Sequence, residues 1–169
     1  MVFKIFICFF LVINLIGCSS SQDSKTETKP GNIEAGAPGF ILEDLKGEKI
    51  QLSDYMGKVV LLVFTTTWCR YCVKDIPYLK KLYSQYKEKG FEIINIDIQE
   101  SKEKVSSFAT KHNIPYKILL DKYAKVAGTY SVQGVPSKTL IDKNGGIVCH
   151  ACRTVEPYLE TLFGDETKN

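Results

Sequence analysis

Residues 59–72, VVLLVFTTTWCRYC, are the stretch from which the rest of this chain can be read. Val59 through Thr65 form a continuous apolar, β-branched-rich run without alternation, the pattern of a strand buried on both faces. From Arg70 a different period takes over. Val73, Ile76, Leu79, Leu82, Tyr83 and Tyr86 recur at helical spacing until Gly90 stops the helix. Pro77 inside it removes a backbone donor and predicts a kink. Residues 91–98, FEIINIDI, are a second buried strand, so strand, helix and strand make a parallel βαβ unit.

Further along, the pattern predicts a helix over 102–110, a short strand over 117–120 and a helix over 123–130. Strands over 138–141 and 147–151 are joined through Asp142-Lys143-Asn144-Gly145, and Asn-Gly is the favoured pair for an antiparallel hairpin turn. A helix over 156–163 closes the chain. Upstream, residues 40–42 and 49–52 around Gly47 read as an extra N-terminal β-hairpin. The expected architecture is α/β, a central mixed sheet flanked by helices on both faces.

Trp68-Cys69-Arg70-Tyr71-Cys72 sits where the first buried strand hands over to the long helix. Cys69 falls at the helix N-terminus, where unpaired N–H groups and the helix dipole favour an anion. The thiolate is the nucleophile, and bringing a free thiol from about 8.5 to about 7 takes roughly 2 kcal/mol. A partly buried helix terminus supplies up to about 2 kcal/mol, to which Arg70 can add. Cys72 lies on the same helical face, so the two sulfurs can meet. So short a loop is a weak staple, worth about 2 kcal/mol by chain entropy. A reversible redox pair, a metal site and a static disulfide are the three readings of such a motif; the strand–turn–helix setting favours redox.

The chain has 169 residues, 44% of them hydrophobic and 24% charged, which bounds it to one ordinary domain. A net charge of +3 without basic–aromatic runs gives no basis for nucleic-acid binding. Lys4 precedes an apolar run over 5–16 that is too short to span a bilayer but suits the core of a secretory signal. Leu15-Ile16-Gly17-Cys18 resembles a bacterial lipobox, so residues 1–17 are expected to leave as a signal peptide and Cys18 to carry lipid; an unprocessed membrane anchor is the other reading. Residues 18–34 hold almost no apolar surface and read as a flexible tether, leaving 35–165 as the folded domain.

VVLLVFTTTWCRYC followed by a Pro-containing helix resembles thioredoxins, and the preceding GAPGFILEDLKGEKIQLSDYMGK resembles the TlpA-like (ResA-like) branch of bacterial membrane-anchored thioredoxins. That resemblance implies a thioredoxin-like fold and a thiol–disulfide oxidoreductase in which Cys69 attacks a substrate disulfide and Cys72 resolves it. It implies that Gly134-Val135-Pro136-Ser137 is a cis-proline loop facing the dithiol, with Trp68, Val135 and Pro136 contacting substrate. Asp75 stands where this branch usually carries Glu, as a proton partner for the cysteines or as a solvated carboxylate. No cofactor and no metal are implied. The expected partners are exported proteins with disulfides, apocytochromes c among them, and a membrane or periplasmic thiol reductant. The expected place is the extracytoplasmic side of the bacterial cell envelope, held by lipid. Alternatives are a thiol peroxide reductase, since the entry segment is shared with peroxiredoxins, and a metal-handling protein of thioredoxin fold, for which His112 and His150 are the available histidines.

Cys149-His150-Ala151-Cys152 departs from the family pattern. Residues three apart on a strand point to opposite faces, so this pair needs a bulge or turn to close. Arg153 stands where the c-type haem signature would require His. Inert cysteines, a second redox pair and a metal site all remain open, and alignment of the last strand would bring Cys152 and Arg153 toward the dithiol.

Overall fold

The computed structural model describes residues 36–164. The expected signal peptide, the tether and Cys18 lie outside them, and the expected domain limits fall one residue beyond each end. Every residue of β3 (Val59–Thr65) is buried, and β3 is flanked by β4 (Phe91–Ile98) in parallel and β6 (Ser137–Ile141) antiparallel. The full order is β2-β1-β5-β4-β3-β6-β7, one mixed sheet of seven strands. Here β1 is Ile41–Asp44, β2 Lys49–Gln51, β5 Lys117–Asp121 and β7 Ile147–His150.

Alternation along β3 splits the core into two layers. Val59, Leu61 and Val63 pack with Phe91 and Ile93 beneath Leu79, Leu82 and Tyr86 of α1 (Arg70–Tyr86) and Leu159 of α4 (Glu156–Gly164). Val60, Leu62 and Phe64 pack on the other face with Ile94, Ile96 and Tyr130, beside α3 (Lys125–Thr129). Val105 of α2 (Lys102–Lys111) covers Ile118 and Leu120 of β5. On the α1 face of β3 and β4, the residues beyond Val63 and Ile93 turn polar: Thr65, Asn95 and Asp97 are all buried. Thr65 and Asn95 satisfy each other through hydrogen bonds of 3.0 and 2.8 Å.

Most expected elements stand within one or two residues of their predicted bounds, and three departures have local causes. The N-terminal hairpin also pairs with β5, so it extends the main sheet. Helix α3 starts late because Ala124 adopts a left-handed φ of 54° and the Asp121 carboxylate instead accepts the N–H groups of Lys125 and Ala127. The long helix ends at Tyr86, and one 3-10 turn, Lys87–Lys89, leads to Gly90 at φ 87°. Among the described residues no helix is long and apolar enough to cross a membrane.

Candidate active site

Strand β3 delivers Thr66, Thr67 and Trp68 to its carboxyl end, and the chain turns there into α1. Cys69 is the N-cap: its backbone is extended, its N–H reaches the Thr66 carbonyl at 3.2 Å, and its carbonyl accepts from Val73. In place of the usual oxygen, its sulfur accepts the Cys72 N–H at 3.1 Å. The Cys69 and Cys72 sulfurs are bonded, with Cα atoms 5.2 Å apart. Both cysteines are buried, whereas Trp68 and Tyr71 are 70% and 71% exposed, so the disulfide is recessed behind an aromatic rim.

The Gly134–Ser137 loop meets this turn from β6. The Val135–Pro136 peptide is cis, as the resemblance implies, and the Val135 carbonyl oxygen lies 3.5 Å from the Cys69 sulfur. A cleft of about 270 Å3 opens beside the loop, lined by Gly134, Pro136, Ser137, His150 and Ala151.

Asp75 is partly exposed, at 29% of its side chain, and is paired. Its Oδ2 accepts from Lys138 Nζ at 2.6 Å, and the lysine side chain is only 7% exposed. Lys138 also lies over the Tyr78 ring, at 5.7 Å from the centroid. The Tyr78 hydroxyl donates to Glu156 and accepts the Val155 N–H, tying α1 to the start of α4. Burial and this carboxylate push the Tyr78 phenol above its ordinary range.

Two carboxyl groups unremarked in the sequence lie behind the Thr66-Thr67 segment. Asp97 is the register partner of Thr65 and is 3% exposed; its Oδ1 and Thr66 Oγ1 have no hydrogen-bond partner among the described residues. Burial, reinforced by the neighbouring Glu100 carboxylate, pushes the Asp97 carboxyl up to about 8. Glu100 accepts from the Thr67 N–H and hydroxyl and pairs with Lys104. Burial pushes its carboxyl up, but those donors outweigh it and hold the group below the ordinary glutamate value. An Asp inside the apolar run FEIINIDI was the signal that sequence reasoning passed over.

The second cysteine pair is bonded as well, with Cα atoms 5.8 Å apart. The expected strand over 147–151 stops at His150 because Ala151 turns left-handed at φ 50°, and this is the turn that lets residues three apart meet. Cys152 is buried and its N–H donates to the Lys138 carbonyl at 3.0 Å, two residues past Pro136; Arg153 is exposed. His150 Nδ1 lies 3.0 Å from Thr139 Oγ1, and His112 packs on Phe108 at the end of α2. Among the described residues no group of three or more His, Cys, Asp or Glu could hold a metal ion.

A cysteine pair capping the helix that follows the central strand of such a sheet defines a thiol–disulfide oxidoreductase of thioredoxin fold. The AhpC/TSA family model matches residues 33–159. The chain is 36% identical over 162 residues to a thiol-disulfide oxidoreductase ResA of Bacillus cereus, covering 96% of this chain and 87% of that one. It is 37% identical over 137 residues to the ResA of Geobacillus kaustophilus, covering 81% and 79%. Among solved structures, it is similar to the thioredoxin domain of a thiol-disulfide oxidoreductase from Bacteroides vulgatus, with a TM-score of 0.71, 30% identity, and coverage of 77% and 96%. A thiol:disulfide interchange protein from Bacteroides sp. gives a TM-score of 0.71 at 29% identity, covering 79% and 91%. The chain belongs to the ResA-like thiol-disulfide oxidoreductases of the AhpC/TSA family.

Proposed function

We propose that this protein reduces disulfides of exported proteins on the outer side of the membrane, with apocytochromes c among its clients. The observation that carries the reading is Cys69 as a sulfur N-cap: the Cys72 N–H and the helix terminus favour a thiolate there in the reduced protein. The Cys69 thiolate attacks one sulfur of the client disulfide, and the other client sulfur leaves as a thiolate and takes a proton. Cys72 then attacks the Cys69 sulfur, and the mixed disulfide breaks to release the second client thiol. Two electrons have passed to the client, Cys69–Cys72 is oxidised, and a membrane or periplasmic dithiol restores it. Trp68, Val135 and Pro136 hold the client against the recessed sulfurs. Asp75 is engaged with Lys138, so it acts on the site through that pair. Residues 1–17 act as the signal, and Cys18 carries the lipid that holds the domain to the envelope.

Three measurements test this. A Cys72→Ser chain expressed with its leader should accumulate thiol-sensitive adducts with exported cysteine proteins, and Cys69→Ser should not; adducts of equal yield from both variants would overturn the assignment of the nucleophile. Equilibration in redox buffers should place Cys69–Cys72 near thioredoxin, about −270 mV, whereas a value near about −120 mV would make the protein an oxidant. Rapid peroxide turnover would instead support the peroxide-reductase alternative.

A further inference from the structure

The second cysteine pair has no part in the function proposed above, yet it borders the same cleft. His150 and Ala151, the two residues between Cys149 and Cys152, face Gly134, Pro136 and Ser137 across that opening of about 270 Å3. A chain docked along the proline loop therefore also touches the loop of the second disulfide. The two ends of this disulfide are unlike. Cys152 is 8% exposed and sits in the core layer with Leu79, Val155 and Leu159, whereas Cys149 is only partly buried. So short a loop is a poor staple for a fold already closed by seven strands.

We propose that Cys149–Cys152 is a second thiol–disulfide centre, entered at Cys149 by protein dithiols, whose oxidation state sets the shape of the cleft beside Pro136. It rests on the proposed function only in taking the same class of partner. A thiolate of the incoming dithiol attacks the Cys149 sulfur, the bond to Cys152 breaks, and Cys152 departs as a thiolate and takes a proton. The partner's second thiol then attacks the mixed disulfide and frees Cys149. Two electrons and two protons have reached the pair, and the partner leaves as a disulfide.

The structural consequence follows from Ala151. Its left-handed backbone is a costly basin for any residue with a side chain, and the disulfide spans the turn that holds it there. In that conformation the Cys152 N–H reaches the Lys138 carbonyl, and the Lys138 side chain in turn holds Asp75, one turn past Cys72 on α1. Reduction removes the tie across the turn, so the cleft wall and the Cys152–Lys138 hydrogen bond loosen together.

The test uses the full chain and a Cys69→Ser/Cys72→Ser variant. Each is equilibrated in graded dithiothreitol buffers or with reduced thioredoxin as the protein dithiol, then alkylated and read peptide by peptide. In both proteins Cys149 and Cys152 should open together, and exchange of the Cys152 amide should then accelerate about tenfold while amides of β4 stay protected. The inference is overturned if the pair stays oxidised in a buffer that fully reduces Cys69–Cys72, which marks a static bond, or if it opens with Cys152 protection unchanged, which marks an exchange that leaves the cleft as it was. If Cys149–Cys152 opens while Cys69–Cys72 in the full chain does not exchange, the proposed function fails and this inference stands.

Discussion

Replacing Asp97 by asparagine removes one ionisable group and keeps the shape of its protonated form. Asp97 is raised from 3.8 to about 8 by burial first and by Glu100 second. Because the folded value lies above the unfolded one, the native state holds a proton that the unfolded chain has released at every pH between the two. Stability contributed by this site is therefore fully present below pH 3.8, falls as pH rises, and stops falling near pH 8. Within that window the slope is about 1.4 kcal/mol per pH unit, whatever the exact folded value. The substituted amide is neutral throughout and carries no such slope. The variant should thus gain on the parent by about 2.7 kcal/mol between about pH 5 and pH 7, a shift of about 5–10 °C in the difference between their melting temperatures. At 3% exposure, Asp97 is too buried for solvent screening to erase the effect. Urea unfolding of both oxidised proteins at the two pH values, followed by far-UV circular dichroism, measures it. A stability difference that stays constant with pH would mean that Asp97 is ionised in the fold like a surface carboxylate, and the account of a neutral acid behind Thr66 would be wrong.

The polar bridge between α1 and β6 gives an asymmetric pair of expectations. Asp75→Ala leaves the Lys138 ammonium, 7% exposed, without its anion and should cost about 2–3 kcal/mol in urea unfolding. Lys138→Met leaves only the more exposed carboxylate and should cost about 1 kcal/mol or less; equal costs would refute the assigned burial. Tyr78→Phe removes both a donor to Glu156 and an acceptor for the Val155 N–H, and should cost about 1–2 kcal/mol, with faster amide exchange at Val155 as its specific signature.

The sequence was most legible where local pattern and burial agree. The unbroken apolar run of β3, the helical spacing after Cys69 and the Asn144-Gly145 turn each demand one conformation, and each formed where expected. What stayed hidden depends on contacts far apart in the chain. Nothing near Ile41 says that its strand will pair with β5, whose residues come about 75 positions later. Asp75 could be placed on the face after Cys72, but its partner Lys138 lies 63 residues on, in the half-polar strand SKTLI, where nothing local marks a buried lysine. Cys149 and Cys152 need a turn to meet, and the expected strand ran through Ala151, because a left-handed alanine is a conformation that sequence alone gives no reason to expect. Asp97 is the instructive omission: a carboxylate in a strand buried on both faces is anomalous by its own local environment.

The sheet thins toward its margins, with three residues in β2 and four in β7 at the outside and seven and eight in β3 and β4 within. An enzyme that handles disulfides in other chains sits against partners whose own backbone groups are unpaired, the circumstance in which open strand edges seed aggregation. Margins this short give such a partner few ladder positions to join, and β7 ends at the Cys149–Cys152 turn. In the proposed function a client that cannot extend the sheet holds only to Trp68 and the Val135–Pro136 loop, and a foothold that small lets it go again once the electrons have moved.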